Sequence, residues 1–299
     1  MKKYLYNFVL ATLILMSTTV VNAANEVYYI NREGIEMTEE EYNNLLTLGF
    51  TEKYINGMDY DEFLANKDLV GTPISSSKKY VMITTTMRNG IKVTTSREIT
   101  YEEAMEEVLR QSQGVPNRGP AGNYYDGLVG NYVFEMTTNI TGIGNTYMRF
   151  MNNAEWLVIP TDRYYDVIGI GIESSKVQMA TGIVFKEEWV TTGGVHQNTQ
   201  VCTPKYENTG GLAIFELPSS DIVSLDIMLY FNVMKQPNVG TITSLYAVGD
   251  YAHAICSVSP SNLLSHISIN SSVGIMIDST YSSCYLDTQE AVASFIGTW

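Results

Sequence analysis

The residues in this sequence that can do chemistry are few and scattered. His196, His253 and His266 are its only histidines, and Cys202, Cys256 and Cys284 its only cysteines. No two histidines stand in an HxH or HExxH arrangement, and no Cys-x-x-Cys pair occurs. The pattern therefore names no metal site and no cofactor. A Cys–His hydrolase would need Cys202 or Cys284 beside His253 or His266, yet no nucleophile elbow or other local motif accompanies such a pairing. His253, inside Gly249-Asp250-Tyr251-Ala252-His253-Ala254, reads as a hydrogen-bonded strand residue, and no catalytic residue is assigned. Glu187-Glu188 stands before Trp189, and Glu39-Glu40-Glu41 opens a helix. Carboxylates make a glycosidase only when the fold sets them ~5–9 Å apart, and the helix-opening run suits the helix dipole as a solvated face.

Aromatic residues offer a softer lead. There are 21 tyrosines and three tryptophans. The loop-like pairs Tyr124-Tyr125 and Tyr164-Tyr165 are the expected binding residues, against either a sugar face or a protein surface, where tyrosine supplies rigid amphipathic area. Trp156 and Trp189 fall in strand-like runs, where aromatic side chains are favoured, and are assigned to the core.

Charge narrows the partners. Eighteen basic against 32 acidic residues leave a net charge of −14 in 299 residues, which repels nucleic acid and anionic lipid at long range. Lys2 and Lys3, the apolar run Phe8 to Met16, and Val21-Asn22-Ala23 have the layout of a secretory signal peptide cut after Ala23. Its loss removes two lysines and no acid, leaving −16. The apolar run falls short of the roughly 20 residues of a spanning helix, so the expectation is a secreted, extracellular protein with no stable membrane anchor. Three cysteines allow one intrachain bridge and a thiol left over; Cys256 with Cys284 is the expected pair.

Those residues must be held by elements the sequence also marks. Segment 24–70 reads as a small helical module with a short hairpin. Thr38 with Glu41 forms a capping box, Gly49 ends that helix, and Thr51 and Asp59 cap two more, the last with Glu62 at the box position. Segment 71–112 reads as a β-hairpin over Tyr80 to Ile99, turning at Asn89-Gly90, followed by a helix capped by Thr100 with Glu103. Segment 113–130 is rich in glycine and proline and reads as a linker. From 131 to 299 short strand-like runs recur between turn-forming clusters, which implies a β-sandwich or jelly roll. The fold class is thus mainly β: a C-terminal β-sandwich with a small N-terminal helical module.

Val27-Tyr28-Tyr29-Ile30 through the capped helices to Phe63, and Thr241 to Leu245 leading to Gly249-Asp250-Tyr251-Ala252-His253-Ala254, resemble an uncharacterised family of exported proteins from gut-associated Gram-positive bacteria. The resemblance implies export and the two-part layout, and brings no activity with it. The functional expectation is non-catalytic binding or adhesion to a glycan or cell-surface protein through the sandwich. The alternatives are a hydrolase whose site assembles only in three dimensions, and a pore-former inserting the 80–99 hairpin.

Overall fold

The computed structural model describes residues 26–114, 127–219, 221–286 and 290–299. Segment 1–23, the pair Tyr124-Tyr125 and most of the expected linker lie outside these residues.

The chain begins with a two-strand ribbon, β1 (Tyr29–Ile30) and β2 (Glu36–Met37), and three short helices. In α1 (Glu39–Thr47) the Thr38 side chain accepts from Glu41 N, and Glu41 returns the bond to Thr38 N. Gly49, at a φ of 98°, turns the chain out of the helix, a conformation that costs glycine little. Thr51 caps α2 (Glu52–Gly57) and Asp59 caps α3 (Tyr60–Asn66). Glu62 does not close the third capping box. Its carboxylate is drawn inward to the Tyr54 hydroxyl and Lys186 instead. Helices this short are held by packing rather than propensity, and theirs is supplied by Leu45, Leu48, Phe50, Ile55, Met58 and Phe63 against Met151, Met228 and Tyr230.

The rest is built from antiparallel strands. β3 (Gly71–Arg88) and β4 (Ile91–Ile99) precede α4 (Tyr101–Ser112). Then come β5 (Gly127–Ile143), β6 (Tyr147–Val158), β7 (Tyr165–Ile172), β8 (Val177–Met179), β9 (Val184–Thr191) and β10 (His196–Thr199). β11 (Thr203–Glu207), β12 (Gly210–Glu216), β13 (Ile222–Lys235) and β14 (Ser244–Ala252) follow. After α5 (Pro260–Leu263) the chain forms β15 (Ile267–Asn270), β16 (Gly274–Ile277) and β17 (Ala291–Ile296). One large sheet runs β10-β9-β13-β6-β5-β3-β4, with β8 also on β13; the facing sheet runs β11-β12-β7-β14-β17. The two make a mainly-β sandwich.

The expected boundary at 113–130 does not separate the hairpin from the sandwich. β3 pairs with β5 from Gly71 to Met87, so 71–99 forms one side of the large sheet. The Asn89-Gly90 turn is as expected, with φ of 51° and 76°. The first strand lacks alternation at Tyr80 to Ile83 because both its faces are covered: the facing sheet lies on one, and α4 crosses the other, Tyr101 against Tyr80 at 5.6 Å. The polar stretches at β10 and β11 are strands, β15 and β16 form a hairpin, and beyond Ala254 the chain leaves the sheet.

The sandwich is closed on one side and open on the other. On the closed side Ser294 N, on β17, donates to Ser75 Oγ of β3 at 3.0 Å. Inside, Asn152 Nδ2 bridges the sheets to the carbonyls of Gly169 (3.3 Å) and Asp250 (3.0 Å). Gly249 is required there, because a Cβ would stand 1.9 Å from Thr138 Oγ1. At the opposite side the chain crosses between sheets through Gln200-Val201-Cys202. A cover of Val258, Leu263, Ile267, Ile269 and Tyr285 packs on the outer face of the smaller sheet, pinned by the Cys256–Cys284 disulfide (Cα–Cα 5.0 Å) as expected.

Candidate functional site

Strand β9 positions the site. Successive strand residues point to opposite faces. Lys186 and Glu188 therefore face the helical module, and Phe185, Glu187 and Trp189 face the interior between the sheets. Neither face of this strand is simply solvated, which is why a run of charges is buried: Lys186 is 2% exposed, Glu187 1% and Glu188 6%.

On the module side the charges are paired. Lys186 Nζ donates to the Gly57 carbonyl at 2.8 Å, lies 3.5 Å from Glu62 and 3.6 Å from Glu188, and sits over the Tyr54 ring at 4.5 Å. Arg32 approaches Glu188 at 3.7 Å. Burial raises the pKa of Glu62 and of Glu188, and the Lys186 charge opposes the rise in each.

On the interior side Glu187 stands without a counterion among the described residues. Its Oε1 is buried and has no hydrogen-bond partner among the described residues. Burial, then the negative charges of Asp166 and Glu216, push its carboxyl up to about 8. At neutral pH it is therefore mainly a neutral acid, able to donate a hydrogen bond.

Glu187 lines a cleft of about 650 Å³ at the open edge of the sandwich. The cleft runs round the free edge of β12, beyond the first residue of β11. Trp189, Phe215 and Leu217 line it between the sheets, and Tyr165, Glu216 and Ile214 line it on the other side of β12. The crossing residues Val201 and Cys202 form part of its wall. Trp189 Nε1 donates to Gln197 Oε1 at 2.9 Å across the β9–β10 pair, which fixes the indole. The Tyr165 hydroxyl donates to Glu216 Oε2 at 3.2 Å. No Lys, Arg or His is among the lining residues.

Of the four tyrosines expected to bind, Tyr165 lines this cleft. Its neighbour Tyr164, just before β7, is not among the lining residues, and both tyrosines pack against the outer cover of the smaller sheet. Tyr124 and Tyr125 lie outside the described residues. Trp189, assigned to the core from sequence, is partly exposed on the cleft wall, whereas Trp156 is indeed buried. Glu187 and Glu216 were not singled out as a pair. The available signal was the strand pattern Phe185-Glu187-Trp189, an acid flanked on its own face by two aromatics.

The histidine and cysteine alternatives do not converge. Asp166, in the same interior, accepts from Tyr251 Oη (2.5 Å) and Ala254 N (2.9 Å) and is joined to His253 Nδ1 at 2.9 Å. Trp156 Nε1 donates to the same tyrosine oxygen at 3.1 Å. All of these side chains are buried, and the network ties β7 to β14. His266 pairs with Asp278 at 2.6 Å on the outer cover. Burial pushes the Cys202 thiol up to about 11, which suppresses the thiolate. Among the described residues no group of three His, Cys, Asp or Glu is arranged to hold a metal ion. No described helix is long and apolar enough to cross a membrane. No protein-family model and no curated protein matches the chain.

Proposed function

We propose that this is an exported, non-catalytic carbohydrate-binding protein whose ligand lies in the cleft at the open edge of the sandwich. The observation that carries the reading is the convergence of Trp189, Tyr165 and the uncharged acid Glu187 on one groove. An aromatic ring offers a flat apolar face to a sugar, and a few fixed polar groups orient it. The signal-like segment 1–23 and the Cys256–Cys284 bridge support an oxidising, extracellular setting. Binding in a groove rather than on a flat patch also fits a soluble glycan segment better than a protein surface.

The test is a glycan array followed by titration of any hit with Trp189→Ala. Loss of at least about tenfold in affinity, with the fold retained by circular dichroism, is the expected outcome. A blank array together with a blank cell-binding assay overturns it. A hydrolase reading is favoured by one observation, the presence of Glu187 and Glu216 on the same cleft. Release of reducing sugar from a bound oligosaccharide, abolished by Glu187→Gln, would establish it in place of simple binding.

A further inference from the structure

The carboxyls of this molecule that lie in buried or half-buried clusters nearly all have cations. Lys53 contacts Asp226 and Glu155, Lys78 contacts Glu135, Arg110 contacts Glu107, and Lys186 with Arg32 serves Glu188. Asp166 has three donors in place of one. Glu187 has neither. It is 1% exposed, its Oε1 is unpartnered among the described residues, and it lines a cleft that carries a second carboxylate, three aromatic side chains and no Lys, Arg or His among its described lining residues. Arg163 donates from Nη1 to the Pro218 carbonyl at 2.9 Å.

We infer that the cleft is built for a ligand bearing a primary ammonium, and that the glycan it takes is one with a free amino sugar rather than an N-acetylated or neutral one. This rests on the carbohydrate reading above for the sugar, but the ammonium follows from the cleft alone. An ammonium supplies what the site lacks. It is a compact charge with three donors, sized for a carboxylate in a dry setting, and it is attracted to the face of an indole or phenol. An N-acetyl group would present a bulky amide and no charge, leaving the Glu187 carboxyl uncompensated. A carboxylated or sulfated sugar would meet Glu216 and the acidic protein field.

Balance of protons makes the inference measurable. The ionisable groups around Glu187 are Asp166 on β7, Tyr251 on β14 and Cys202 in the crossing, with Glu216 and Tyr165 on the other side of β12. None of them is a cation. An arriving ammonium favours the Glu187 carboxylate, so the bound state forms an ion pair and the carboxyl proton passes to solvent. Below the pH at which Glu187 ionises in the free protein, affinity should then rise by up to about tenfold per pH unit.

Isothermal titration calorimetry on the full protein, with trimers of glucosamine, N-acetylglucosamine and glucose, tests this over about pH 5.5–6.5, where the amines are still largely ammonium, in phosphate and in bis-Tris. Expected are at least about tenfold tighter binding of the glucosamine trimer at about pH 6, a rise in its affinity with pH, and release of close to one proton. Glu187→Gln should remove the pH slope and the amine preference. The proton release is read on the unaltered chain and survives any folding failure of the variant. Equal or tighter binding of the acetylated or glucose trimer overturns the ammonium inference and leaves the carbohydrate reading standing. Binding of the amine without proton release and unaffected by Glu187→Gln also overturns it. No binding by any trimer, but binding of propylamine with proton release, upholds the ammonium site and sinks the carbohydrate reading.

Discussion

The two faces of β9 place neighbouring charges in opposite situations. Toward the module, Glu188 ends a row of acids set side by side across four strands: Glu135 opposite Glu155, Glu155 opposite Asp226, and Asp226 opposite Glu188. Every member of that row touches a lysine or arginine, and two of those cations, Arg32 and Lys53, come from the module itself. Toward the interior, one residue away, Glu187 has no such partner among the described residues. A buried ion pair breaks even only when its geometry is satisfied, so the row acts to register the module on the sheet. A buried carboxyl left alone serves no such purpose and costs stability. The contrast is what marks Glu187 as a residue kept for a ligand.

The largest expected effect breaks the paired face. Lys186→Met leaves Glu62 and Glu188 buried together without their shared cation, and should destabilise the fold by about 3–5 kcal/mol in urea denaturation. A loss under about 1 kcal/mol would mean that apolar packing alone seats the helices.

The unpaired face should respond in the opposite direction. The Glu187 carboxyl ionises near 4.5 in an open chain and at about 8 in the folded protein. Between those values the folded state holds a proton that the unfolded state has lost, so stability falls as pH rises from about 4.5 to about 8 and levels off above. Asp226, pushed up to about 7 by burial against the opposing Lys53 charge, adds a decline of the same sign. Glu187→Gln removes the first contribution only. Its stability relative to the unaltered chain should grow steadily from pH 5 to pH 8, reaching a few kcal/mol, when denaturation midpoints are compared at each pH. A flat difference would show that Glu187 has a partner in solution.

The smallest effect separates burial from pairing. Lys53 makes the same kind of contact as Lys186 on the same face of the sheet, but its side chain is 38% exposed against 1%. Lys53→Ala should cost only about 0.5–1 kcal/mol by the same denaturation measurement. It should also raise the Asp226 carboxyl further, since the lysine charge is what holds it down; carboxyl chemical shifts followed across a pH series read this directly.

Local features of the fold were legible because their causes are local. Thr38 with Glu41, Thr100 with Glu103 and Asn89-Gly90 each specify geometry within four residues, and each forms as read. The place of the hairpin was not legible, since the residues that join β3 to β5 are separated by the glycine-rich stretch and carry no mark of one another. Nor was the cleft. Tyr164 and Tyr165 look alike in sequence and both pack against the outer cover, yet of the two only Tyr165, the first residue of β7, lines the groove. Glu62 looked like a capping residue and was taken instead by Tyr54 and Lys186, because a buried cation outbids a helix end.

By itself, then, the sequence determined the mainly-β character, the capped helices and the turn of the hairpin, and made Cys256 with Cys284 the first choice for a bridge. Caps and turns are satisfied by neighbours in the chain, and a single bridge had few choices. Tertiary structure alone decided which acids meet cations and which meet none. Partners such as Lys186 and Glu62 stand far apart in sequence, and their energies depend on burial that exists only once the sheets and module have come together. Glu187 and Glu188 are identical side chains one residue apart; the pleat of β9 gave one a counterion and the other an open cleft.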